Sequence, residues 1–262
     1  MAIPSINRTR IALERVEQAT AGLASQVAAL PPPDDGEAPT RFTSVRLVGA
    51  THAYQREDET AFTLGPIDLE LRRGEIVFLI GGNGSGKTTL AKLLVGLYAP
   101  ERGEVVLDGC VIGDGERDGY RQLFSAVFSD FYLFERLLGL GAPDLDREAA
   151  RWLRELQLDR KVCVERGALS TTELSAGQRK RLALLVAYLE DRPIYVFDEW
   201  AADQDPAYKA VFYERLVPEL KARGKTVVVI THDDRYFHVA DRCVELDAGQ
   251  LRIRHGAAGS AA

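Results

Sequence analysis

Apolar and polar positions change their arrangement three times along the chain. Between Ser5 and Leu30 the apolar residues Leu13, Val16, Leu23, Val27 and Leu30 recur at helical spacing among Arg, Glu and Gln. That pattern predicts an amphipathic helix within residues 1–30, with one face that seeks a partner surface. Residues 31–40 hold Pro31, Pro32, Pro33 and Pro39 among acidic residues and a glycine. Proline has no N–H to donate and clashes inside a helix, so this stretch is expected to be a linker. Residues 41–254 have the pattern of one compact domain, and residues 255–262 form a Gly/Ala-rich tail expected to be flexible.

Inside the domain two kinds of strand signal occur. Phe42 to Tyr54 and Phe62 to Leu71 alternate apolar with polar, around the polar turn Gln55–Glu59. They predict strands of an antiparallel layer with one face buried. Glu75–Ile80, Ile194–Phe197 and Thr226–Ile230 are instead short apolar runs, each leading through polar residues into a helical stretch. Strands buried on both faces and alternating with helices predict an α/β fold with a mostly parallel sheet. The first of these runs passes through a glycine-rich turn into a helix predicted over Lys87–Leu97. Asp146–Leu158 has the spacing of an amphipathic helix and is assigned to a helical insertion.

The glycine-rich turn carries the chemistry. Gly81-Gly82-Asn83-Gly84-Ser85-Gly86-Lys87-Thr88-Thr89 matches G-x-x-x-x-G-K-[ST] between a strand and a helix. Glycines let the backbone curl until successive N–H groups face inward around a phosphate. The helix N-terminus adds unpaired N–H groups and the positive end of its dipole. Lys87 supplies a point charge for β- and γ-phosphates, and Thr88 a hydroxyl for Mg²⁺. ATP and Mg²⁺ are therefore the expected ligands. Ile194-Tyr195-Val196-Phe197-Asp198-Glu199 is an apolar strand ending in two acids, at the sheet edge where open parallel sheets place their ligands. Asp198 is placed to hold the magnesium and Glu199 to act as general base on an attacking water.

Composition narrows the field without changing this picture. The 262 residues are 46% hydrophobic and 27% charged, ordinary for a soluble globular chain. The net charge of −6 argues against a nucleic-acid partner, which would call for a basic face. Cys110, Cys163 and Cys243 are too scattered for a disulfide or zinc framework. The first ten residues lack the basic start and apolar run of a secretory leader, and no stretch reaches the roughly 18 apolar residues of a membrane span.

A further motif separates this chain from other phosphate-loop proteins. Leu174-Ser175-Ala176-Gly177-Gln178, followed by Arg179-Lys180-Arg181, resembles the LSGGQ signature of ABC cassettes, with Ala176 in place of a glycine. Ser175 and Gly177 fall at a predicted helix start, again an anion-binding arrangement. The resemblance implies a P-loop NTPase ABC cassette: a RecA-like parallel-sheet core, an antiparallel β subdomain and a helical signature subdomain. It also implies a second cassette in a head-to-tail dimer, in which Ser175, Gly177 and Gln178 meet the γ-phosphate bound by the opposite subunit. Residue by residue, Tyr54 takes the position that stacks on adenine. Ala202-Asp203-Gln204-Asp205 takes the D-loop position that contacts the partner, with Asp205 its last residue. His232, in Thr231-His232-Asp233, takes the position of the switch histidine that touches the γ-phosphate.

Two further positions depart from the family. Ser129, within Val127-Phe128-Ser129-Asp130-Phe131, replaces the glutamine that reaches toward magnesium; its shorter side chain leaves Asp130 or a water as alternatives. Trp200 follows Glu199 where the family has proline. As a set, the segments around Phe128, Leu174, Trp200 and Thr231 resemble the cassettes of bacterial cyclic-peptide and siderophore exporters of the pyoverdine and syringomycin type. In these the cassette follows transmembrane helices. The resemblance implies transmembrane domains on this or another chain, with residues 1–30 the cytoplasmic extension of the last membrane helix. It places the cassette at the cytoplasmic face of the bacterial inner membrane. An importer-type ATPase subunit is the nearest alternative. A DNA-repair ATPase is disfavoured, because about ninety residues between Gly81 and Leu174 leave no room for a long coiled coil.

Overall fold

The computed structural model describes residues 42–54, 62–137, 140 and 144–254. The helix, linker, turn and tail expected at 1–30, 31–40, Gln55–Glu59 and 255–262 lie outside them. The first two strands are β1 (Ser44–Tyr54) and β2 (Phe62–Arg72), close to the predicted limits. They pair antiparallel, and β1 also pairs antiparallel with β4 (Arg102–Leu107), which turns back into β5 (Cys110–Val111). The resulting order β2-β1-β4-β5 is the expected antiparallel layer.

The second sheet holds the fold together. Its order is β12-β11-β3-β10-β9-β6, where β3 is Ile76–Ile80, β6 Phe124–Val127, β9 Ile194–Asp198 and β10 Thr226–Ile230. Strands β11 (Arg242–Asp247) and β12 (Gln250–Arg254) complete it. All neighbours run parallel except the β11–β12 hairpin. Successive strand residues point to opposite faces, and the chain fills both faces with apolar side chains. Ile76, Phe78, Ile80, Tyr195, Phe197, Val227 and Val229 join one buried cluster; Val77, Leu79, Ile194, Val196, Val228 and Ile230 join another. The three short apolar runs are thus continuous because each strand belongs to two cores.

Helix α1 (Lys87–Leu94) covers the second cluster together with the antiparallel sheet. It stops three residues before the predicted end, because Gly96 at φ 77° turns the chain and Leu97 and Tyr98 both donate to the Lys92 carbonyl. The first cluster is covered by α3 (Leu145–Glu155), α4 (Ala176–Glu190) and the run α5 (Pro206–Ala210), a π-helical turn (Val211–Leu216) and α6 (Val217–Ala222). The smaller elements among the described residues are helix α2 (Arg117–Arg121), the hairpin of β7 (Val164–Glu165) with β8 (Ala168–Leu169), and a 3-10 helix at Asp234–Val239. Helix α3 lies where the helix at 146–158 is predicted but stops at Glu155, before Gln157 at φ 57°, and packs on α4 through Trp152 stacked on Tyr188, centroids 4.2 Å apart. Among the described residues no helix is long and apolar enough to cross a membrane.

Phe78 is fully buried between Tyr213 and Phe237. Phe78→Ala is expected to cost about 3–5 kcal/mol of stability; a shift of the urea midpoint at unchanged m-value measures it.

Candidate functional site

Parallel register brings the polar residues together. Ile230 is level with Leu79 on one side and with Asp198 on the other, and Phe197 is level with Val127. The carboxyl ends of β3, β10, β9 and β6 therefore form one edge, from which the 81–88 turn, His232, Glu199 and Ser129 emerge. Two backbone bonds lock this edge: the Glu199 amide donates to the Ile230 carbonyl at 3.1 Å, and the Thr231 amide to the Leu79 carbonyl at 3.2 Å.

The glycine turn is shaped by contacts that exclude side chains. Gly81 sits at φ 143°, and a Cβ there would stand 2.1 Å from the Leu246 carbonyl oxygen. Gly86, at φ 101°, precedes α1 under the ring of Phe62. Helix α1 has no side-chain cap, so its first N–H groups face the turn. Lys87 is 6% exposed, and its ammonium donates to the carbonyls of Gly81 at 3.0 Å and Gly82 at 2.9 Å. Burial pulls its pKa down, against the opposing pull of Glu199 and Asp198.

Asp198 is 1% exposed and the focus of the site. Its Oδ2 accepts from the Thr88 hydroxyl at 2.8 Å and the Ser129 hydroxyl at 3.4 Å. Its Oδ1 and the Ser85 hydroxyl are buried without a hydrogen-bond partner. Burial raises the Asp198 pKa; the Thr88 hydrogen bond opposes that shift and the Glu199 charge adds to it. A hard cation takes carboxylate and hydroxyl oxygens, and an orphaned carboxylate oxygen beside Thr88 and Ser129 fits that chemistry. Asp130 does not join this cluster: its carboxylate meets Lys92 of α1 at 3.3 Å.

Glu199 leaves the strand at φ 49°, a left-handed conformation unusual for a side-chain-bearing residue. Its Oε1 lies 3.0 Å from His232 Nε2. Lys87, Thr88, Ser129, Asp198, Glu199 and His232 thus lie together on this edge. Tyr54 lies at the end of β1 opposite Phe62. The signature residues stand elsewhere and make no hydrogen bond to this group among the described residues. Ser175 and Gln178 instead close a capping box on α4, each side chain bonded to the other's amide at 3.4 and 3.3 Å. Asp205 caps α5 through the Tyr208 amide and pairs with Arg181 at 3.0 Å.

Lys180 was given no role on sequence grounds. It is buried between the signature helix and the Glu199 segment, donating to the Glu199 carbonyl at 2.9 Å and pairing with Asp203 at 2.8 Å. Its trace in the sequence is its place in the basic run Arg179-Lys180-Arg181 that follows the signature.

A glycine turn on a parallel-sheet edge, facing a strand that ends in two acids, defines a phosphate-loop nucleotide-binding cassette. The family model described as ABC transporter matches residues 64–202, and this chain belongs to that family as its ATP-binding domain. It is 55% identical over 197 residues to the ATP-binding protein SyrD of Pseudomonas syringae pv. syringae, covering 74% of this chain and 35% of that protein. It is 32% identical to an ATP-dependent lipid A-core flippase of Alkalilimnicola ehrlichii, covering 84% and 39%. The chain thus spans little more than a third of the length of these curated relatives. A dimeric ATP-binding cassette in a post-hydrolysis state, bound to ADP and Pi, superimposes with a TM-score of 0.68 at 26% identity, covering 80% of this chain and 98% of that one. An Atm1-family exporter with ATP bound shares the fold at a TM-score of 0.68 and 22% identity, covering 90% and 44%.

A carboxyl whose folded pKa lies above its unfolded value holds its proton more tightly in the fold. Stability is then lost as pH rises through that folded pKa. Asp198→Asn removes the buried charge, so in chelator and without nucleotide it is expected to melt higher than the parent at neutral pH. The advantage should shrink on acidification, as thermal melts across pH would record.

Proposed function

We propose that this chain is the ATP-hydrolysing motor of a membrane exporter, working as a head-to-tail pair with a second cassette. The observation that carries the reading is the 3.0 Å contact between His232 Nε2 and Glu199 Oε1, beside Asp198 and the Lys87 loop. The amides and ammonium of residues 81–89 bind the phosphates, with Gly82, Asn83, Gly84 and Ser85 as backbone donors and Thr89 in the first helical turn. Tyr54 carries the adenine. Thr88, Asp198 and Ser129 hold Mg²⁺, which when bound neutralises charge on the phosphate oxygens.

Glu199 then takes the proton of a water as its oxygen attacks the γ-phosphorus, and the bond to the β-phosphate oxygen breaks to leave ADP and Pi. His232 orients the Glu199 carboxylate and donates toward the γ-phosphate. The burial that lowers the Lys87 pKa and raises that of Asp198 leaves both groups short of charge compensation. A triphosphate and a divalent cation supply it together.

The partner half of the site comes from Ser175, Gly177 and Gln178 of the second copy, approached through the Asp205 loop. The pairing is supported by the dimeric state of the matching cassette. Transport of a cyclic peptide or siderophore, at the cytoplasmic face of the bacterial inner membrane, is the reading that the likeness to the ATP-binding protein SyrD supports. The membrane-embedded part would seat on the groove of about 350 Å³ lined by Val127, Phe131, Leu137 and Val186 and rimmed by the exposed Tyr132 and Phe134.

Glu199→Gln is expected to bind MgATP with near-parental affinity, lose steady-state hydrolysis and accumulate an ATP-dependent dimer in size-exclusion chromatography. Retained phosphate release by that variant would remove Glu199 from its role. Lys87→Ala is expected to weaken nucleotide binding by about 2–3 kcal/mol, the loss of charge-assisted contacts; calorimetric titration with MgATP at unchanged affinity would contradict it.

A further inference from the structure

The segment that follows Glu199 is tied to the first turns of α4 by contacts in both directions. Lys180 Nζ donates to the Glu199 carbonyl, and the neighbouring Trp200 returns a bond from its indole Nε1 to the Lys180 carbonyl at 2.8 Å. Around this reciprocal clasp, Gln204 donates to the Gly177 carbonyl at 2.9 Å and accepts from Arg181 at 2.9 Å. Trp200 is itself held by stacking on Phe212, centroids 4.4 Å apart. The tie thus runs from the signature turn to Glu199, the proposed general base.

An ammonium at 6% exposure is costly to bury, and a buried ion pair contributes little net stability. Asp203 compensates the charge from a half-exposed position, its side chain 55% accessible. The second acceptor of Lys180 is informative. The Glu199 carbonyl already receives the Ala202 amide at 3.1 Å, so it does not need Lys180 to be satisfied. It does need an anchor, because Glu199 stands at φ 49° and that turn carries its carboxylate to His232. The ammonium on the carbonyl side holds the turn against relaxation toward extended backbone.

We propose that Lys180 is a positioning residue for Glu199. With Trp200 it fixes the strained turn that aims the carboxylate, and it makes the signature turn and the hydrolytic segment of one subunit a single mechanical unit. The inference rests on the reading of Glu199 as general base. The Lys180 ammonium meets the Glu199 carbonyl and Asp203, not the 81–88 turn that would hold the phosphates, so its loss should reach the rate of turnover and spare the binding of MgATP.

The test compares steady-state kinetics of the full chain with those of Lys180→Met, Lys180→Arg, Trp200→Phe and Glu199→Gln, each normalised to titrated nucleotide-binding sites. Lys180→Met is expected to lower kcat at least tenfold with KM for MgATP within threefold of the parent. Lys180→Arg, which keeps a cation with donors, should recover most of the loss. Trp200→Phe retains the stacked ring and loses only the indole donor; a threefold fall in kcat is expected. A Lys180→Met kcat within twofold of the parent, or a loss confined to KM, overturns the proposal while an inactive Glu199→Gln leaves the hydrolytic reading standing. Active Glu199→Gln, or a parent chain without turnover, overturns the underlying reading and the proposal with it. If Lys180→Met shows no cooperative melt, Trp200→Phe decides: kcat within 1.5-fold of the parent overturns the positioning role.

Discussion

Parallel register across four strands is the constraint on which the rest depends. Ile230 level with Asp198 and with Leu79 puts three strand ends in one line, and a slip of one residue would turn Asp198 and Glu199 to the wrong faces. The register is enforced from both sides, because every residue of β3, β9 and β10 is buried. A displaced strand would have to exchange the members of two apolar clusters at once. The chemistry at the edge is therefore specified by packing several residues away.

That edge is not a comfortable place for its own charges. A buried carboxylate with one oxygen unpartnered and a buried ammonium turned onto carbonyls of its own loop are expensive features. Proteins tolerate such costs where function needs them. Here the cost falls on groups whose ordinary partners are anionic oxygens and a divalent cation, and membership of the ABC transporter family gives that imbalance its meaning.

Much of this was readable from sequence, and the remainder was hidden for physical reasons. The core strands, the phosphate turn and the acidic pair at 198–199 are local patterns, each complete within about ten residues. The predicted helix at 146–158 is present because its apolar face is periodic, but Leu156 and Leu158 continue that spacing past its end at Glu155. Strands β4, β6, β11 and β12 were missed because each is only four to six residues long, too short for its period to stand out. The length of α1 was overestimated because Leu97 continues its apolar spacing while Gly96 ends the helix. Lys180 was invisible because its partners lie 19 and 23 positions away, Glu199 through a backbone carbonyl and Asp203 through an exposed carboxylate. The capping box of Ser175 and Gln178 shows the opposite situation, a local motif whose residues also belong to the family signature.

The Ser129–Asp130 pair has a mechanical consequence. Ser129 leans on Asp198, while the adjacent carboxylate is moored by Lys92 to the helix that follows the phosphate turn. Tyr132 and Phe134, only a few residues on, rim the groove. A longer side chain at 129 would have given this stretch a flexible reach, whereas two short tethers leave it almost no slack. Under the proposed seating of a partner on those aromatics, a displacement there would reach the buried acid through Ser129 and the last turn of α1 through Lys92, like a pull on a lever with two pins.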